Sequence, residues 1–527
     1  MYPTSIGTHY MRCQGTLPPD VRCFTEYLRD AGYYCTNNSK EDYNLEKPGT
    51  VWDESSNKAH WKNRGEGQPF FAVFNYTISH ESQIRNAIDE KDRIHDPAKA
   101  RVPAYHPDTP EVRKDWAQYN DRITMMDAQC GKALKELADA GLVEDTIVIY
   151  WGDHGSGMPR SKRWPYNSGL NVPLMIHVPE KWKALAPQDY EAGGTSDRMV
   201  AFVDLAPTML SLVGVEAPEW MQGTAFAGKL QKEAPQYSYG FRGRMDERYD
   251  MVRTVMDQRY VYLRQYMPHR VYGQHIDYMF QTPTTRVWHD LFAEGKLNAD
   301  QSHFWQKKPA EELYDLQTDP DEVHNLADSP EHQAVLERMR QAHRDWVFRV
   351  RDVGFLPEAE IHARAKGGAP YTFAHSDAYP LEAIFEAAQL ATSMKEADLP
   401  AIVKLLDHPD SGVRYWGATG LLCQEAAGVK AGHDALVKAL GDDCGSVAIV
   451  AAEALGRFGS EDDLSKSLDL LLVKADQAKG DVFGAIAACN AIDYLDKKAL
   501  PRLGEIKQLP TKPGRKAERV DGYVGRL

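Results

Sequence analysis

The sequence predicts a helix-covered α/β fold, followed by a small α+β subdomain and an all-α array. Three observations predict it. Short apolar runs alternate with amphipathic helical stretches through residue 180, the pattern of a largely parallel sheet covered by helices. Strand-like stretches then come close together, Met251 to Met256 and Arg259 to Tyr266, ahead of a helical stretch from Gln333 to Arg349. Finally, Val413-Arg414-Tyr415-Trp416-Gly417-Ala418, Val447-Ala448-Ile449-Val450-Ala451-Ala452 and Val482-Phe483-Gly484-Ala485-Ile486-Ala487 recur at a helical-repeat period.

In chain order, Pro18 to Gly32 reads as an amphipathic helix with Phe24, Tyr27 and Leu28 on one face. Tyr33 to Thr36 reads as the next strand, and it delivers Lys40, Glu41 and Asp42 to a loop. Pro69 to Tyr76 is a dense apolar strand that ends at Ser79-His80-Glu81. From Val112, the positions Trp116, Tyr119, Ile123, Met126, Cys130, Leu134 and Leu137 step by threes and fours, a long helix devoted to core packing. Thr146 to Trp151 is a strand whose following turn, Gly152 to Gly157, bares Asp153 and His154 at its carboxyl end. In open α/β sheets, ligands bind at such ends. Lys162 and Tyr166 follow in the same loop before a strand at Val172 to Val178, so a carboxylate, an imidazole and an ammonium share one connection. Each of these charged loops taken alone also fits a plain solvated turn.

These elements divide the chain into an α/β part at 1–235, an α+β part at 236–355, a Gly/Pro-bearing linker at 356–380, helical repeats at 381–510 and a tail at 511–527. The linker, with Gly367-Gly368 and Pro370, predicts two separable units. The balance of 62 basic against 76 acidic residues disfavours a nucleic-acid partner, and no apolar run reaches membrane-spanning length. Seven cysteines, at 13, 23, 35, 130, 423, 444 and 489, are odd in number and lack CxxC spacing, so they indicate neither a disulfide scaffold nor a zinc site.

Several segments together carry a resemblance: His9-Tyr10-Met11-Arg12, EYLRDAGYYCTNNSK (26–40), FFAVFNYTISH (70–80), the run from Ile123 to Gly155 that ends in Asp153-His154-Gly155, Lys162 with Tyr166, and VDLAPTMLSLVG (203–214). In order and spacing they resemble the type I sulfatases of the alkaline phosphatase superfamily. The resemblance implies that family's sheet, hydrolysis of a sulfate ester, and a sulfated carbohydrate or small sulfate ester as partner. It places Asp153 and His154 as two Ca2+ ligands, Lys162 and Lys40 as sulfate-binding lysines, and His80 as the leaving-group acid. Leu313-Tyr314-Asp315-Leu316 with Asp319-Pro320 and Asn325-Leu326 resembles the family's small C-terminal subdomain, and the stretch LPAIVKLLDHPDSGVRYWGATGLL (399–422) looks like a HEAT repeat, a surface that commonly binds other proteins.

The chemistry suits those residue types. As the ester oxygen leaves with growing negative charge, fixed cations must neutralise the sulfate oxygens while an imidazole supplies a proton. Calcium takes several oxygen ligands, so Asp153 and His154 represent half a site. Two departures stand out. Where the family has a histidine two residues after the first lysine, this sequence has Asp42. No cysteine stands in the Cys-x-Pro/Ala-x-Arg context that the family oxidises to formylglycine, its nucleophile. The resemblance places that motif, and the other calcium ligands, upstream of Met1, so Met1 is expected to be internal to a longer frame, with the chain as written inactive and exposing a sheet edge. The family is often exported, yet the start shows no signal segment. A related phosphoester hydrolase and a non-catalytic scaffold binding partners through the repeats stay open as alternatives.

Overall fold

A computed structural model describes residues 1–513 and 518–527; the remaining four residues of the expected tail lie outside the described residues. Helix Phe24–Asp30 opens the α/β part, its start fixed by the Cys23 amide donating to Glu26 Oε2 at 2.8 Å. It feeds β1 (Tyr34–Asn38), which lies between β2 (Glu54–Ser55) and β3 (Phe70–Phe74), all parallel, with Cys35 opposite Phe71. The long helix Pro110–Asp139 begins with Thr109 as N-cap and Pro110 in the first turn, where a missing amide proton costs nothing. β4 (Val148–Trp151) and β5 (Leu174–His177) form a separate antiparallel pair with Ile149 opposite Ile176.

The largely parallel sheet expected from the alternation is therefore smaller than expected. The connection from β4 to β5 holds only the four-residue helix Asn167–Leu170, too short to cover a parallel crossover, and the chain folds back antiparallel. β3 and β4 do not pair with each other. Yet Phe71 and Ile149 pack on the same apolar cluster, built on Leu28, Cys35, Met209 and Leu210, so helices 24–30 and Leu205–Val213 cover both strands.

The second sheet runs in chain order, β6 (Ser238–Arg242), β7 (Val252–Met256), β8 (Tyr260–Gln265) and β9 (Glu311–Asp315), all antiparallel. Helix Gln333–Val350 lies against it, with Trp346 stacked on Tyr239 at 5.0 Å between ring centres.

Residues 356–380 are folded rather than an open linker. Helices Glu358–Ala365 and Pro370–Ala374 occupy the segment, and Leu356, Ile361, Ala374 and Tyr379 are buried. Gly367 takes a left-handed φ of 76° to turn between these helices, and Pro370 serves as the first residue of the second, so both residues that read as linker punctuation are used for a tight corner. The tyrosine hydroxyl of Tyr379 donates to the Asp352 carbonyl, and the Asp352 carboxylate pairs with buried Arg253 at 2.6 Å.

The two expected units are packed together across the same corner. Beyond this corner, helices Leu381–Ala391, Leu399–Leu405, Ser411–Cys423, Glu425–Ala439, Gly445–Phe458, Glu461–Lys474 and Val482–Tyr494 follow, and the three recurring segments open the third, fifth and seventh. One apolar core runs from Tyr10, Tyr266 and Trp346 through Phe355 and Ile384 to Trp416 and Val447. Trp416 donates its indole N–H to the Phe355 carbonyl at 2.8 Å, and Arg270 of the sheet subdomain pairs with Glu453 of the array. Among the described residues, no helix is long and apolar enough to cross a membrane.

Truncating Trp416 removes a large side chain at the centre of this shared core. Trp416→Ala should cost about 3–5 kcal/mol, and thermal melts followed by helical circular dichroism and by near-ultraviolet signals should fall together. Two separate transitions, with only the helical one shifted, would instead mean that the array is an independent unit.

Candidate functional site

Parallel β1 and β3 end on the same edge, so the segments after them emerge side by side. Lys40 lies two residues past β1, His80 six past β3, and Asp153 two past β4. The structure brings these segments together. Lys40 Nζ lies 3.9 Å from Asp153 Oδ2, His154 Nε2 lies 3.6 Å from the same oxygen, and Lys162 Nζ lies 3.3 Å from His80 Nε2.

Glycines allow the approach. A Cβ on Gly157 would meet the Glu81 backbone within 3.1 Å, so the loop after β4 can lie on the His80-Glu81 segment only with glycine there, and one on Gly155 would run into the Ser168 carbonyl further along the same loop. Further along, Arg160 and Arg163 take left-handed φ values of 69° and 79°, backbone strain that flanks Lys162. The strain is held by a buried pair: Arg163 Nη1 donates to both oxygens of Glu81 at 3.0 Å, and its Nε donates to Asp246 Oδ2 at 2.9 Å. Lys162 lies 3.4 Å from Glu81 as well. Neither Glu81, Arg163 nor Asp246 was singled out by sequence; the only signal was the adjacency of the first two to His80 and Lys162.

Burial lowers the His80 pKa to about 4, helped by the neighbouring Lys162 ammonium and opposed by Glu81. Its Nδ1 faces Ser82 Oγ at 2.9 Å. Burial also lowers the Lys162 pKa, with Glu81 acting the other way. Asp42 is placed differently. Its Oδ1 accepts from Arg12 at 3.0 Å and from Arg519 at 2.8 Å; partial burial works against its charge, but the guanidiniums outweigh it and hold the carboxyl below its ordinary range. It makes no contact with His80 or Lys162, and a carboxylate so stabilised is a weak base.

His154 Nδ1 lies 2.7 Å from the Gly155 carbonyl, which fixes that nitrogen as the N–H and leaves Nε2 as a lone pair beside Asp153, an orientation suited to a metal ligand. These two groups do not complete a calcium site: among the described residues, no cluster of three or more His, Cys, Asp or Glu side chains could hold a metal. All seven cysteines are free, and five are buried.

Residues 9–215 match the Sulfatase family, and residues 152–281 match the family described as N-sulphoglucosamine sulphohydrolase, C-terminal. An ulvan-active sulfatase of Formosa agariphila is 39% identical over 409 residues, which cover 68% of this chain and 67% of that protein. The chain belongs to the sulfatase family. Human N-sulphoglucosamine sulphohydrolase is a more distant sulfatase, 27% identical over 55% of this chain and 59% of its own length. A solved structure in complex with its substrate D-glucosamine-2-N,6-O-disulfate aligns with a TM-score of 0.43 and 16% identity, covering 67% of this chain and 88% of that one.

In this sulfatase, the enclosure of His80 has a direct readout. Its folded pKa lies below that of an exposed imidazole, so the ring stays neutral between pH 6.5 and about 4, where an unfolded chain would already bind the proton, and this group withdraws stability as the pH falls through that window. Ring-proton chemical shifts followed by NMR should titrate near pH 4. A midpoint near 6.5 would mean that His80 is open to solvent.

Proposed function

We propose that Lys40, His80 and Lys162 form the sulfate-binding side of a sulfuric ester hydrolase that acts on sulfated glycans. What supports it most is the convergence of these three side chains from separate strand ends, with Lys162 Nζ 3.3 Å from His80 Nε2. The relatives named as an ulvan-active sulfatase and as N-sulphoglucosamine sulphohydrolase point to a saccharide carrying the ester.

The two lysines supply positive charge to sulfate oxygens in a partly dry recess, where it is screened less than in water. The Ser82 amide donates to His80 Nδ1 at 3.2 Å, so in the neutral ring the proton sits on Nε2, 3.3 Å from Lys162 Nζ, and a leaving oxygen at that point would be met by the ammonium and the ring N–H together. Glu81 and Arg163 position Lys162 from behind. Asp153 and His154 belong to the same recess as two candidate Ca2+ ligands. The family generally uses Ca2+ and a formylglycine. Because none of the seven cysteines stands in the formylglycine context, this 527-residue chain is expected to bind sulfate esters without turning them over.

The test is calorimetric titration of the chain with N-acetylglucosamine 6-sulfate and with the unsulfated sugar, alongside an aryl sulfate turnover assay. Only the sulfated sugar should bind, no product should form, and Lys162→Ala should weaken binding on the order of 10-fold to 100-fold, the range for a hydrogen bond to a charged group. Equal affinity for the unsulfated sugar would remove the sulfate clamp, and steady turnover would show that a nucleophile is present after all.

A further inference from the structure

The segment after the helical array returns to the rim of the site. Residues Arg519–Arg526 form a short run of helical turns, and Val520, Tyr523 and Val524 are buried in the core of helix Val482–Tyr494. From this anchor the segment touches both loops of the candidate site. On one side, Arg519 Nη1 donates to Asp42 Oδ1, two residues after Lys40. On the other, the Tyr523 hydroxyl donates to Asp246 Oδ1 at 3.4 Å, and Asp246 holds Arg163, the neighbour of Lys162.

The Asp42 oxygen that accepts from Arg519 also accepts from Arg12 at 3.0 Å. One carboxylate facing two guanidiniums leaves a positive charge unmatched. That surplus is open to solvent, since the Arg519 side chain is 67% exposed and Asp42 is 40% exposed. Among the described residues, Arg519 forms no other side-chain hydrogen bond or ion pair, and with its side chain 67% exposed most of its N–H donors face outward. Stability explains little of this arrangement, because exposed ion pairs contribute roughly 0–1 kcal/mol. Arg12 takes a left-handed φ of 62°, with its amide donating to Asn44 Oδ1 at 2.8 Å, and its side chain is only 18% exposed, so it holds Asp42 from the inner side while Arg519 faces outward.

We propose that Arg12 and Arg519 form a second anion subsite beside the Lys40–Lys162 recess, which takes an anionic group on the same substrate next to the sulfate ester, a uronate carboxylate or a second sulfate. Guanidinium forks match the paired oxygens of either group. An arriving anion takes the outward N–H donors of Arg519, and Asp42 keeps the two arginines aligned in the free protein. The segment 518–527 is then part of the substrate-binding surface, and the site favours polyanionic saccharides over singly charged ones. This inference rests on the proposed sulfate-binding role of the recess.

The test titrates three ligands into the full chain by calorimetry: a monosulfated monosaccharide, the same sulfated sugar linked to a uronate, and a disulfated sugar. Arg519→Ala should leave the monosulfated sugar unchanged and weaken one or both doubly charged ligands by about tenfold, as expected for a lost hydrogen bond to a charged group. Loss confined to the uronate ligand identifies a carboxylate, and loss confined to the disulfated sugar identifies a sulfate. Arg519→Lys should recover part of the affinity, and an unchanged melting temperature should show that the segment stays docked. An equal loss for all three ligands, or no loss for either doubly charged one, overturns the subsite. If the wild-type chain fails to bind even the monosulfated sugar, the sulfate-binding reading itself falls, and the subsite with it.

Discussion

The buried pair between Arg163 and Glu81 is the constraint on which the site depends. Both side chains are almost wholly inaccessible, and removing one partner of such a pair leaves a bare charge that costs several kcal/mol. The pair fastens the loop after β4 to the segment after β3, two stretches whose strands share no hydrogen bonds. With that fastening, Lys162 is carried against His80, Gly157 can lie on the Glu81 backbone, and the left-handed turn at Arg163 is held in place. Asp246 extends the lock from the α/β part to the antiparallel subdomain, so the recess is assembled by three regions of chain at once.

The charge pattern of the recess follows from this assembly. Glu81 and Asp246 absorb the Arg163 charge, while Lys162 shares Glu81 at 3.4 Å and Lys40 lies 3.9 Å from Asp153. Burial keeps His80 neutral, which prevents a third like charge from pushing the two lysines apart. In the proposed sulfate-binding role these charges are fixed before a ligand arrives, which is how fixed charges act most effectively on a developing anion.

Much of this was legible in the sequence wherever a local pattern determined the result. The strands at 34–38, 70–74 and 148–151, the long helix from 110, and the placement of Lys40, His80, Lys162, Asp153 and His154 at strand ends all follow from apolar runs that stop at polar clusters. What escaped were features fixed by distant partners. Asp42 reads as a loop carboxylate near Lys40, but Arg12 and Arg519 decide its state. Gly367 and Pro370 read as linker residues, but the burial of Ile361, Ala374 and Tyr379 turns them into a corner of the core. The antiparallel return of β5 could not be foreseen from its apolar composition, because strand direction depends on the length of helix available to cover a crossover.

The contact between Asp42 and Arg519 joins residues 477 positions apart. A chain emerging from the ribosome would present Lys40 and His80 long before Arg519 is made, and the rim would stay incomplete until the helical array had folded and carried residue 519 back across it. Recognition of a multiply charged ligand would therefore report on completion of the array, and damage far out among the helices would be felt first as a loss of discrimination at the site rather than as a loss of sulfate binding itself.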